Sequence, residues 1–374
     1  MKRMHLATAM ALVSLAAVAG PPAAPSQSNT FTVDCNRGQT IARALELGDF
    51  RKPVVINVRG TCREFVTITR ANVTLRGDPA AEIVAPDNGR DLLTVSADRV
   101  TLENLTLTGG LAGLSQDHAP TFIARNCVIQ DTSGVGVRVR VGDARLINCT
   151  VQRSGGDGVA VIRGGSVVLS GGSQVLDSAG AGISATQSSV VSLNNATVMR
   201  SGGSGIVVNG ASHGSVGNGS TIAENAEAGM VVDLSQANLA GGNTIRDNGV
   251  YGVGGSGSQI SIADSTITGN GHDGVLGYIG TTLFLRGNVI SNNKARGVSC
   301  HGNCVAQIVG ATIEDNAEPG IILAWGSKLI LEGPATTLNR NGQFALFCHD
   351  KESSVLNPGF LNTTDPVECT DFDN

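Results

Sequence analysis

Tyr278 and His301 are the residues of this 374-residue chain whose types and spacing best suit proton transfer. A phenol and an imidazole side by side can take a proton from a carbon next to a uronate carboxyl group and return one, one acting as base and the other as acid. The guanidinium forks of Arg138 and Arg140, with Arg163 in the following unit, suit the carboxylate or sulfate groups of an acidic glycan. Solvated strand-edge charge that deters aggregation is the alternative for these arginines. Asp233 is a further outward-facing substrate-binding candidate. No Cys-x2-Cys pair or His–Cys cluster has zinc spacing, so neither a metal nor a cofactor is expected.

These residues act together only if the chain stacks them, and a repeat supplies the stacking. CVIQDTSGVGV from Cys127 recurs as CTVQRSGGDGV from Cys149, SQVLDSAGAGI from Ser173 and ATVMRSGGSGI from Ala196. It continues through STIAENAEAGM, NTIRDNGVYGV, STITGNGHDGV, NVISNNKARGV and ATIEDNAEPGI to TTLNRNGQFAL from Thr336, at intervals of 22 to 25 residues. Each unit holds one aliphatic in a short β-rich stretch (Ile222, Ile245 and Ile267 in three successive units), a turn, and a Gly leading into alternating aliphatics. A second apolar pair, such as Ile260 and Ile262, closes it. Three short strands in about 23 residues make one coil of an all-β, single-stranded parallel β-helix. A leucine-rich repeat lacks its Leu framework here, and propeller blades need nearly twice the length.

Side chains on the strand after the repeat Gly alternate in and out, so the residue four places after it points outward. That outward column reads Arg140, Ile162, Thr186, Asn209, Asp233, Ser256, Tyr278, His301 and Ala324, which places Tyr278 and His301 one coil apart. In the turn, Asn225, Asn248, Asn270, Asn293, Asn316 and Asn341 form a file able to exchange amide hydrogen bonds between coils, each taking the left-handed conformation that Asn tolerates. Asp131, Arg153, Asp177, Arg200 and Glu224 alternate in sign and read as a stacked ion-pair series.

The division follows from these patterns. Residues 1–19 have a basic start, an apolar stretch and a small-x-small cleavage signal, the pattern of a secretory signal peptide. Residues 20–30 are a Pro-rich spacer. Residues 31–53 form an N-terminal cap whose TIARALEL segment, Thr40 to Leu47, is a short amphipathic helix. The parallel β-helix spans 54–349, with 350–374 as C-terminal cap or tail. Eight cysteines allow 105 connectivities; pairing neighbours in sequence suggests Cys35–Cys62, Cys127–Cys149, Cys300–Cys304 and Cys348–Cys369. Export to the periplasm or the outside fits an even cysteine count.

Composition excludes several classes. Aromatics are 3% of the chain, so the 41% that is apolar must build its core from Val, Ile and Leu. Charged residues are only 15%, well below the usual ~25%. From Gly164 onward, 17 acidic residues face 8 basic ones, whereas Phe31 to Arg163 carries 14 and 16. An acidic chain without basic patches interleaved with aromatics is not a nucleic-acid binder. No membrane span is expected.

The leader, the helical plug, the Gly-x-Cys-x-Glu-x-Val-x-Ile start from Gly60 to Ile68 and the N-x-x-Gly-Val coils together resemble secreted right-handed parallel β-helix proteins of the pectate-lyase-like superfamily. The resemblance covers roughly Thr30 to Cys369 and implies that substrate lies along the strand after the repeat Gly. Gly297-Val298-Ser299-Cys300-His301 is similar to the Gly-Phe-Asp-Pro-His strand of mannuronan epimerases at Gly and His, with Ser299 where that strand has Asp. Two functions are expected from these residues. One is a non-catalytic exported scaffold that binds a glycan, an acidic polysaccharide among them, or a surface. The other is a polysaccharide lyase or C5-epimerase using Tyr278 and His301.

Overall fold

The computed structural model describes residues 28–118, 120–369 and 372–373. The leader expected over 1–19 lies outside the described residues. From Asn29 onward the chain winds as stacked coils with every strand pair parallel; the register shifts only in the long strands of the first coils, at Val58/Gly60 and Arg76/Ala81, and the later coils stack residue on residue. Fourteen short strands, beginning with Val66–Ile68 and ending with Val367–Glu368, form one flat face, called here the front sheet. The remaining strands form two further faces, which the first coils cross in single long strands such as Val54–Arg63 and Val73–Val84.

Stacking in register makes the core a set of vertical files. Ile222 pairs with Ile245 and Ile245 with Ile267, and the file continues through Ile290 and Ile313 to Leu338. All six are 0% exposed. Each aliphatic is roofed by its equivalent one coil on, at the ~4.8 Å spacing of neighbouring strands.

The repeat Gly is fixed by close approach, since a Cβ at Gly205 would stand 2.6 Å from the Asn225 amide nitrogen, 2.6 Å from the Gly229 carbonyl and 2.7 Å from Ile222 Cγ2. The strand after each Gly therefore begins directly under the next coil.

The asparagine file forms the expected rail. Asn225, Asn248, Asn270, Asn293 and Asn316 each donate an amide hydrogen bond of 2.9–3.0 Å to the next Asn, ending at Asn341. The left-handed conformation does not belong to these residues. It falls one place earlier, on Glu224, Asp247, Gly269, Asn292, Asp315 and Arg340. The earlier residue turns the corner, which leaves the Asn side chain buried and pointing along the helix axis. The corner residues in turn carry the exposed ion pairs, among them Arg153–Asp131 and Arg200–Asp177 at 2.7 Å. Exposed pairs of this kind contribute at most about 1 kcal/mol each.

Both ends are clamped. The helix Ile41–Leu45, shorter than its sequence pattern, is capped by Thr40 and buries Ile41, Ala44 and Leu45 over the first coil. Glu64 accepts the Ile41 and Ala42 backbone N–H groups at 2.7 and 3.1 Å, beside the Cys35–Cys62 bridge. At the far end, Ser354–Leu356 and Leu361–Thr363 add strands to the flank faces, and Cys348–Cys369 ties the tail back.

Cys300–Cys304 is also bridged, but Cys127 and Cys149 are not, which corrects the fourth expected pair. The two residues occupy equivalent places on adjacent coils, just before the paired Val128 and Thr150. Each sulfur is turned to a backbone carbonyl, Cys127 to Arg125 at 3.2 Å and Cys149 to Ala124 at 3.4 Å.

Candidate functional site

Tyr278 and His301 end front strands that pair in register, so the two side chains stand directly beside each other on the outer face. Asp233 lies two coils away, with Ser256 between. Arg138 and Arg140 are six coils from Tyr278, about 29 Å at the strand spacing, and the structure does not bring them to the pair. They are engaged locally: Arg138 Nη1 is 3.0 Å from Asp91 Oδ2, and Arg140 Nη1 is 3.7 Å from Asp117 Oδ2.

What does join the pair is Trp325. It follows the strand Ile321–Ala324 in a left-handed turn, and the residue is 57% exposed. The indole meets His301 at 5.6 Å between centroids and Tyr278 edge-on at 6.1 Å. Its backbone N–H donates to the Asp350 carboxylate, which also accepts the Ser353 N–H and hydroxyl at 2.9 Å. Burial opposes the charge on Asp350, yet the bonds from Trp325, Ser353 and Gly326 prevail and hold its carboxyl below the usual carboxylate range.

The opposite wall comes from residues that immediately precede the repeat Gly. Asp273, buried before Gly274, accepts the Arg296 backbone N–H at 3.1 Å and lies 3.2 Å from His272 Nδ1. The Arg296 guanidinium lies 2.9 Å from Glu318 and 3.8 Å from Asp273. Asp273 and Glu318 therefore outnumber the single cation between them.

Between the walls the floor is apolar and shallow. The Tyr251 ring lies in the space that a side chain on Gly254 would fill. Leu276 follows, then Ser299, which is 0% exposed with a hydroxyl that finds no hydrogen-bond partner among the described residues. Burial, with Glu227 and Asp233 nearby, pushes the Tyr251 phenol up, keeping it protonated. Burial also lowers His301, and Arg296 adds to the effect, so its imidazole is neutral at neutral pH.

Sequence reasoning reached Tyr278 and His301 through the outward column but not Arg296, Asp273 or Tyr251. Their shared position before the repeat Gly was the available signal. Trp325 lies one residue beyond the column that contains His301, which hides it from a count that stops at the strand end.

The family model described as "Right handed beta helix region" matches residues 139–259 and 252–357. No curated protein matches the chain. Among solved structures, the chain is similar to the periplasmic alginate epimerase AlgG, at 14% identity over 91% of this chain and 84% of that one, TM-score 0.43. It is similar to the Azotobacter vinelandii mannuronan C-5 epimerase AlgE6 A-module at 17% identity, over 87% and 93%, TM-score 0.44. The Dettilon tailspike protein (gp208) aligns at 10% identity over 86% and 62%, TM-score 0.41.

Proposed function

Because the chain belongs to the right-handed β-helix family, we propose that it is an exported, non-catalytic scaffold that binds polysaccharide on its front sheet. The observation that carries this reading is the exposed Trp325 ring, braced by His301 and Tyr278 above a shallow apolar floor. Flat aromatic surfaces offer large contact area at low entropic cost and suit the C–H faces of pyranose rings. The carboxylates around Arg296 leave no net positive charge for a uronate, so contact is made by ring faces rather than by charge. Three bridges and the basic, apolar leader support export.

The test is a binding screen of the chain without residues 1–19 against alginate, pectate, glycosaminoglycan and neutral glucans. Trp325→Gly, which suits the left-handed turn, should weaken retention roughly tenfold. Raising salt severalfold should change affinity little, because exposed charge pairs would be screened and ring contacts are not. Failure of the parent to bind any of these glycans would sink the proposal.

A second reading, a uronan lyase or C5-epimerase, has one observation in its favour: a neutral His301 beside Tyr278, ready to accept a proton. Unsaturated sugar ends or inverted C5 centres formed by the parent and lost in His301→Ala would establish it. A parent inert on every uronan removes it.

A further inference from the structure

One residue beyond each front strand from Ile206–Asn209 to Ile321–Ala324 the chain turns through the left-handed region, where glycine is at ease. Gly210, Gly257 and Gly302 occupy this corner column. So do Leu234 at φ 48°, Ile279 at φ 36° and Trp325 at φ 58°. Bulky and β-branched residues are genuine outliers there. They are also largely in solvent, at 68%, 56% and 57% exposure. Neither backbone preference nor core packing accounts for them, and strain kept at the surface points to use.

Their arrangement is ordered. Large residues and glycines alternate: Leu234, Gly257, Ile279, Gly302, Trp325. A side chain on Gly257 would meet Leu234 Cδ2 at 2.8 Å, and one on Gly302 would come 3.4–3.5 Å from Ile279. Leu234 thus leans over Gly257, Ile279 borders Gly302 and the Trp325 ring lies back against His301 and Tyr278, so the three large side chains line an apolar ledge along the helix axis. Contacts recur every two coils, about 9–10 Å, close to the length of two linked pyranose rings. Along one flank of the ledge run His213, Gln236 and Gln259, paired in register, side chains that offer the donors and acceptors sugar hydroxyls need. Along the other run Asp233, Ser256 and Tyr278.

We infer that this ledge is a glycan track: a linear polysaccharide lies along the helix axis, and Leu234, Ile279 and Trp325 each contact every second sugar. The inference rests on the polysaccharide-binding reading and extends it from one aromatic platform to three subsites. An oligomer must reach about five sugars to touch all three, given two coils per contact.

The corner glycines supply the test. Leu234→Gly and Ile279→Gly install the residue that the same column uses at 210, 257 and 302, so the fold is retained and melting stays level or rises as strain is relieved. Oligomers of mannuronate, galacturonate and glucose from two to eight residues are titrated into the parent, both variants and Trp325→Gly. For the series that binds, affinity should climb to about five sugars and then level off. The two glycine variants should lose roughly tenfold on the hexamer and little on the disaccharide. Equal affinity of parent and glycine variants, or no length dependence, overturns the track while Trp325→Gly still reports on the platform. Binding of no oligomer overturns both readings. A concentration-dependent dimer of the parent that both glycine variants abolish also overturns the track, assigning the ledge to self-association.

Discussion

Asp350 holds Trp325 in place: its carboxylate accepts the backbone N–H of an exposed tryptophan that occupies a left-handed turn. Trp325 is the single tryptophan of the chain, so intrinsic fluorescence reports this contact alone. Because hydrogen bonds keep the folded carboxyl below its ordinary value of 3.8, the stabilisation it gives is complete above that value and is lost as pH falls through the lower folded one. Emission should therefore hold steady as acid is added past the normal carboxylate range and shift only beyond it. In Asp350→Ala the acid step should vanish and glycan affinity drop several-fold. A shift centred at the ordinary carboxylate value would refute the linkage.

His301 should titrate below an ordinary histidine, as followed by its ring proton resonances. Burial is the main cause and the Arg296 charge the second. A folded value below the unfolded one means that the neutral imidazole favours the fold above about pH 6.5 and that this contribution is lost as pH falls through the folded value. Arg296→Gln should move the titration upward, and an unchanged midpoint would remove Arg296 as a cause.

Along the asparagine rail, Asn270→Ala takes away the acceptor of both the Asn248 backbone N–H and its side-chain amide, as well as the donor to Asn293. Buried groups left without partners should cost about 2–4 kcal/mol in urea unfolding. The opposite change is available one coil before the rail begins, at Ser201, whose buried hydroxyl has no partner among the described residues. Ser201→Asn should extend the rail to Asn225 and raise stability by about 1 kcal/mol.

Cys127 and Cys149 should behave as two sheltered thiols. The neighbouring Cys149 sulfur and burial push the Cys127 thiol up, away from the reactive thiolate. Iodoacetamide should leave the folded protein unmodified and add two carbamidomethyl groups after unreduced denaturation. No adduct at that stage would mean a fourth bridge.

The repeat was legible because one geometric demand, in-register stacking, writes itself ten times into the spacing of residues such as Ile222, Ile245 and Ile267. Tyr278 beside His301 followed from the same register. The rest of the groove was not legible, because its walls come from two columns on either side of the repeat Gly, and periodicity alone does not say which columns face each other. The left-handed turn was misplaced by one residue for a related reason: Asn tolerates that conformation, but here its amide is needed inside the coil. Sequence proximity placed Cys127 and Cys149 side by side, but the direction of each sulfur depends on the carbonyl that it faces.

Each coil of this molecule touches only the coil above and the coil below, so fraying has just two places to begin, and a bridge guards each. Opening Cys35–Cys62 would let the winding loosen turn by turn from the first coil, whereas opening Cys348–Cys369 would reach Trp325 almost at once, because Cys348 pairs with Leu323 on the strand that leads into it, and Leu234, four coils further in, would be the last of the three to learn of the damage.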